Sequence, residues 1–207
     1  MDRSDPVRVV GISGSLRRSS SNTALIEAAV LLAPAGVEVI VFDALGSIPP
    51  FDPDHDEDSP PEPVASFRRM LIACDAVAIA SPEYAHGVPG VLKNALDWLV
   101  GSGELVGKPI ALINASPRAT HAWASLLETL TTMSACVIRE ASLTIPLHGK
   151  TWLPNDIVED VERSRLVRSA MEALAAACVT REAEVGVVSD DPTLDDLSRE
   201  ASSVKSG

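Results

Sequence analysis

The chain has 207 residues, 46% of them apolar but only 3% aromatic, so one domain with a core of Ala, Val, Leu and Ile is expected. Seventeen Lys and Arg against 29 Asp and Glu give a net charge of −12, which repels phosphate backbones and argues against a nucleic-acid partner. No apolar run is long enough to span a membrane, and the start, Met1 to Pro6, leads into a strand rather than an apolar signal core.

The three cysteines, Cys74, Cys136 and Cys178, form no Cys-x-x-Cys pair and no cluster with histidine. A disulfide framework and a metal site are therefore not expected, and a reducing cytoplasm is the expected location.

Nearly continuous apolar runs predict strands at Val7–Ile12, Val37–Phe42, Ala76–Ala80 and Pro109–Asn114, with a weaker one near Ala141–Ile145. Helical spacing lies between them. Leu25, Ala28, Ala29 and Leu32 form one stripe; Val64, Phe67, Leu71 and Cys74 a second; Leu92, Ala95, Leu96 and Leu99 a third. A buried helix is expected over Thr120–Met133 and a last one over Asp156–Cys178.

Pro89 suits a first helical turn, and Gly36 and Gly101 suit helix exits. Ser59 to Glu62 reads as a capping box, with Pro63 as the alternative helix start. Residues 43–63 hold six prolines and the acidic run Asp52–Asp58, and read as a solvated loop, with a partner contact or a flap as the alternative. Residues 1–180 form the predicted domain and 181–207 an acidic tail, in which Val185–Val188 could dock.

Strands alternating with helices imply right-handed crossovers and a parallel sheet covered on both faces, the α/β class. Five strands point to the doubly wound order 2-1-3-4-5. Its ligand sits beyond the carboxyl ends of the strands, at the switch point between the first and third. Three loops then carry the chemistry.

The first loop, Gly11 to Thr23, has Gly14 for a tight turn, the hydroxyls of Ser15, Ser19, Ser20 and Ser21, the guanidinium of Arg17, and a helix starting at Ser21 or Asn22. These suit a phosphomonoester, although a Ser-rich loop with a helix cap has the same composition. It lacks the third glycine of Gly-x-Gly-x-x-Gly and the Gly-Lys-Ser/Thr of a P-loop. Gly11 to Ser15 also misses the Gly-x-Ser-x-Gly elbow of hydrolases.

The second loop, Ser81 to Gly90, is stiffened by Pro82 and Pro89, and its exposed backbone could read the edge of a flat heterocycle. Tyr84 and His86 either border that ring or serve as ordinary packing or oligomer contacts. In the third, Asn114 to Ala122, Arg118 and His121 are either a second anion site or solvated residues.

Gly14-Ser-Leu-Arg17 with Ser20 and Asn22, then Ser81-Pro-Glu-Tyr84 and Pro89-Gly-Val-Leu-Lys-Asn-Ala-Leu-Asp-Trp98, resembles the NAD(P)H-dependent FMN reductases of the flavodoxin-like superfamily, which include quinone, chromate and azo-dye reductases. The resemblance spans residues 7–180. It implies a flavodoxin-like three-layer sandwich that binds FMN and takes a hydride from NADPH or NADH to flavin N5, then passes electrons to a small-molecule acceptor.

It further implies that Ser15, Arg17, Ser20, Ser21 and Asn22 hold the phosphate. Pro82, Glu83, Tyr84, Ala85 and Gly87 would line the isoalloxazine, with Ser116 closing the other side. No catalytic acid or base is implied, because the cofactor carries the chemistry. A homodimer or homotetramer is implied, and Trp98 is either core or interface. Arg118 is the candidate for the nicotinamide nucleotide phosphates. Many members carry Asn after the Tyr and an aromatic two positions beyond it, where this chain has Ala85 and His86. The alternative reading is a flavodoxin-type electron carrier without efficient NAD(P)H turnover.

Overall fold

A computed structural model describes residues 5–55 and 59–189, with side chains described to residue 181. The acidic segment 56–58 and the tail 190–207 lie outside the described residues.

Strands β1 (Val7–Ser13), β2 (Val37–Phe42), β3 (Ala76–Ala80) and β4 (Pro109–Asn114) form a parallel sheet in the order β2-β1-β3-β4. The expected fifth strand is two short pieces, β5 (Cys136–Val137) and β6 (Leu143–Thr144), each paired with β4. A single 3₁₀ turn separates them. There Ser142 Oγ accepts the Leu112 N–H at 3.0 Å and donates to the Ile138 carbonyl at 2.7 Å, replacing the ladder bond the gap would lose. With that division, the order is the predicted 2-1-3-4-5.

Helices α1 (Ser21–Leu31), α5 (Pro154–Glu159) and α6 (Val161–Ser189) cover one face of the sheet. Helices α2 (Glu62–Ala73), α3 (Gly90–Asp97) and α4 (Thr120–Thr132) cover the other.

Strand alternation explains the division. Ala76, Ala78 and Ala80 of β3 pack with Leu25, Ala28 and Ala29 of α1, and the small side chains let that helix sit close. Val77 and Ile79 point the other way, into a core holding Phe67, Leu96 and Trp98. Trp98, 1% exposed, is core. No helix among the described residues is long and apolar enough to cross a membrane.

Several helix ends differ from expectation. The Ser59 capping box does not form: α2 starts at Glu62 on Pro61, whose carbonyl accepts the N–H groups of Val64 and Ala65. Pro89 is the cap of α3 rather than part of its first turn. Gly36 and Gly101 lie beyond the helix ends at Leu31 and Asp97.

The last helix is broken at Asp160. Its extended backbone ends α5, and its Oδ1 accepts the Arg163 N–H at 2.9 Å, capping α6. Helix α6 then continues past the expected boundary at residue 181, through Val185–Val188, to Ser189.

The segment 43–55 holds two short 3₁₀ turns. It is pinned to α3, since Asn94 and Trp98 both bond the Pro49 carbonyl.

Candidate functional site

Parallel strands in register deliver their loops to one edge. Ser13 pairs with Ala80, and Ala80 with Ile113, so the loops after β1, β3 and β4 leave the sheet side by side at the switch point. They enclose a cavity of about 370 Å³, within the usual size of a small-molecule site.

The β1 loop passes very close to β3. Gly14 donates its N–H to the Ala80 carbonyl at 2.8 Å, and a Cβ on Gly14 would lie 3.0 Å from both Ser81 Oγ and Leu92 Cδ2. Glycine here eases that close approach rather than a left-handed turn, since the φ of Gly14 is not positive.

Beyond it, Ser15 Oγ accepts the Arg17 N–H at 3.3 Å, and Arg17 Nε donates to Ser19 Oγ at 3.1 Å. Ser20 is the N-cap of α1, its Oγ accepting the Asn22 N–H at 3.2 Å. No acidic side chain occupies the first turn of α1. The positive end of that helix therefore faces a wall of hydroxyls and one guanidinium.

All five predicted phosphate residues, Ser15, Arg17, Ser20, Ser21 and Asn22, line the cavity, and Ser19 joins them. Asn22 is 6% exposed, and its Oδ1 has no hydrogen-bond partner. A buried amide left unsatisfied on a cavity wall costs stability unless a ligand pairs with it, and either face of the amide can be turned to do so. These residues fit a phosphate ester.

The opposite wall comes from the other two loops. Pro82, Glu83 and Tyr84 line it, but Ala85 and Gly87 do not. Those two belong to a tight turn in which Tyr84 and Gly87 exchange both backbone hydrogen bonds, at 3.1 and 2.9 Å. Its central residues, Ala85 (φ 49°) and His86 (φ 62°), are left-handed, the pattern of a type I′ turn that normally carries Asn and Gly.

The Glu83 carboxylate bonds the Ala122 N–H at 2.9 Å and lies 3.3 Å from His86 Nδ1. The Ala122 N–H, with smaller contributions from His121 and His86, holds it below the usual carboxylate range.

Ser116 and Arg118 line the cavity from the β4 loop. Asn114, 6% exposed, shapes that loop. Its Oδ1 accepts the Ser116 N–H at 2.9 Å, and its Nδ2 donates to the Ala119 carbonyl at 3.3 Å. Ser81, Asn114, Ala115, Ala119 and Leu147 are wall residues that the sequence reading did not place. The signal available for two of them was a polar residue ending or following a fully apolar strand.

The chain is 42% identical over 115 residues to an NAD(P)H-dependent FMN reductase of Pseudomonas aeruginosa, covering 55% of this chain and 62% of that one. It is 36% identical over 116 residues to a quinone reductase of Escherichia coli, covering 55% and 62%. The match thus spans less than two thirds of these relatives.

Among solved structures, it resembles a flavoenzyme NAD(P)H:(acceptor) oxidoreductase from Paracoccus denitrificans, with a TM-score of 0.74 and 27% identity over 84% of this chain and 97% of that one. A flavodoxin, WrbA-like protein from Agrobacterium tumefaciens, at 15% identity and a TM-score of 0.50, shares the fold. Residues 7–149 match the sequence pattern of the NADPH-dependent FMN reductases, and the chain belongs to that family.

Proposed function

We propose that the chain is an NAD(P)H-dependent, FMN-binding oxidoreductase that reduces a small-molecule acceptor of the quinone class. The observation that supports this most is the composition of the cavity at the switch point. One end is hydroxyls, Arg17 and the amino end of α1; the other is Pro82, Tyr84 and the β4 loop.

In this reading Ser15, Arg17, Ser20, Ser21 and Asn22 hold the phosphate, Arg17 by charge and the others by hydrogen bonds. Pro82 and Tyr84, with Ser116 across the cavity, border the ring. Ala85 and Gly87 act from behind, by setting the turn on which Tyr84 rides. Arg118 lies on the same cavity, and in this reading it meets the phosphates of the nicotinamide nucleotide.

Bound FMN would supply the redox chemistry, accepting a hydride and releasing electrons to the acceptor. The protein's part is to stack donor and acceptor at close range, so no side chain is assigned as acid or base. The names of the relatives support a quinone acceptor.

Tyr84 is 57% exposed at the mouth, a surface a second copy would cover in a homodimer or homotetramer. A monomer by light scattering at micromolar concentration would remove that part of the reading.

The test is a visible spectrum with added FMN, followed by NADPH or NADH without oxygen. Flavin bands that appear on binding and bleach within seconds, then recover with a quinone, are expected. Failure to bind FMN, or a bound flavin that neither nucleotide bleaches, would overturn the enzyme assignment.

A further inference from the structure

Helix α4 begins without a cap of its own. Its N-cap residue is Ala119, which has no side-chain acceptor, so the first-turn N–H groups need partners from elsewhere. The partner comes from another loop, thirty-nine residues earlier. Glu83 Oε2 accepts the Ala122 N–H at 2.9 Å.

The same carboxylate meets the β3 loop again through Oε1, 3.3 Å from His86 Nδ1. His86 is brought back over Glu83 by the left-handed backbone at residues 85 and 86. Its ring then packs edge-on against His121 of α4, centroids 4.4 Å apart at 77°. Two contacts thus tie the β3 loop to α4, and both run through residues 83–86. The Glu83 side chain is only 13% exposed, so solvent competes weakly for the bond.

We propose that Glu83 is a positioning residue. Its carboxylate latches the β3 loop to the first turn of α4 and so fixes the distance between Tyr84 on one loop and Ser116 and Arg118 on the other. Without it, the two walls of the cavity are joined by no side-chain hydrogen bond through this residue, and the α4 start loses its acceptor. The consequence for ligand binding rests on the flavin reading above; the latch itself does not.

Three variants separate reach from charge. E83Q keeps an acceptor oxygen at the same reach. E83D keeps the charge but is one methylene short. E83A removes both. Two quantities are measured in each: amide hydrogen exchange at Ala122, with Ile79 of the central strand as a folding control, and FMN affinity by flavin fluorescence quenching.

In E83A and E83D, Ala122 exchange is expected to accelerate by at least about tenfold and the FMN Kd to rise by roughly tenfold, with Ile79 still protected. E83Q is expected to fall between the parent and E83A in both, because its neutral oxygen keeps the reach but loses the charge assistance. Unchanged Ala122 exchange in E83A overturns the latch. So does full rescue by E83D, because reach from the β3 loop to α4 would then not be the property in use. If no variant and not even the parent binds FMN, yet Ala122 responds as expected, the latch stands and the flavin reading falls.

Discussion

The indole Nε1–H of Trp98 donates to the Pro49 carbonyl at 2.9 Å, across forty-nine residues of chain. Asn94, one helical turn earlier, donates Nδ2–H to the same oxygen at 2.8 Å and accepts the Phe51 N–H on its Oδ1 at 2.8 Å. The Phe51 ring stands edge-on to the indole at 5.1 Å. One face of α3 and its cap thereby hold the proline-rich segment against the core. The loop read as solvated from composition is tethered at residues 49–51 because the spacing of Asn94 and Trp98 puts both donors on one side of the helix.

Asn94→Ala removes two of these bonds at once. A loss of roughly 1–3 kcal/mol in unfolding free energy is expected, at unchanged denaturant slope. Chymotrypsin should also cut after Phe51 faster in the variant than in the parent. Equal cleavage rates would mean that the proline-rich segment holds its place without the α3 tether.

Arg17 is the one cation among the hydroxyls of the β1 loop that line the cavity. If it meets a phosphate, its loss penalises FMN but not riboflavin, which has the same ring and no phosphate. Arg17→Ala is expected to raise the FMN Kd by roughly ten- to a hundredfold, the value of a charge-assisted hydrogen bond, and to leave riboflavin affinity unchanged. Equal losses for both ligands would place Arg17 at the ring or in the loop's folding instead.

Acid should weaken the fold through three carboxylates. Glu83 is held below its usual range first by the Ala122 N–H, Asp156 first by Lys150, and Asp160 first by the Arg163 N–H. Each has a lower pKa folded than unfolded, so in that interval the unfolded chain binds more protons and stability falls as pH falls. The contribution is complete above the usual carboxylate range and disappears as pH drops through the folded values. The urea midpoint is expected to decline on acidification below that range, and to decline less in a variant carrying both Asp156→Asn and Asp160→Asn. An identical decline would assign the acid sensitivity to other groups.

Much of the sheet was legible because β3 and β4 are buried on both faces and read as unbroken apolar runs, while β1 and the edge strand β2 are each interrupted only once, by exposed Arg8 and Glu38, in runs rich in Val and Ile. At the other edge, β6 falls inside the run Ala141–Ile145 that read as a weak strand, but β5 was hidden: two residues carry no periodicity, and the Ser142 side-chain bond that bridges the gap leaves no trace in the pattern. The break at Asp160 was missed because helical spacing continues on both sides of it, while a single side-chain cap decides the boundary.

At the site, the phosphate-suited loop was legible because its donors are consecutive in the chain. The role of the Glu83 side chain was hidden, since its partner is a backbone N–H on a distant helix. The turn at Ala85 and His86 was hidden too. Ala85 does not favour a left-handed backbone, and the His86 contacts to the Glu83 carboxylate and the His121 ring help hold the turn.

The glycines of the first loop separate packing from loop conformation. Sequence reading directs attention to Gly14, but Gly11 is the tighter position. A Cβ on Gly11 would lie 2.6 Å from Ile26 Cγ2, and Ile26 is fully buried in α1 against the sheet. It has no room to withdraw, so α1 must move. On Gly14 the nearest atoms are 3.0 Å away and belong to the side chains of Ser81 and Leu92, which can yield by a few tenths of an ångström. Gly11→Ala is therefore expected to cost roughly 1–3 kcal/mol in a urea titration, and Gly14→Ala less. Because α1 carries Ser21 and Asn22 at its amino end, the Gly11 variant should also bind FMN more weakly once refolded. A larger loss at Gly14 than at Gly11 would mean that the conformation of the loop, rather than the seat of α1 on β1, sets the tolerance of this corner of the fold.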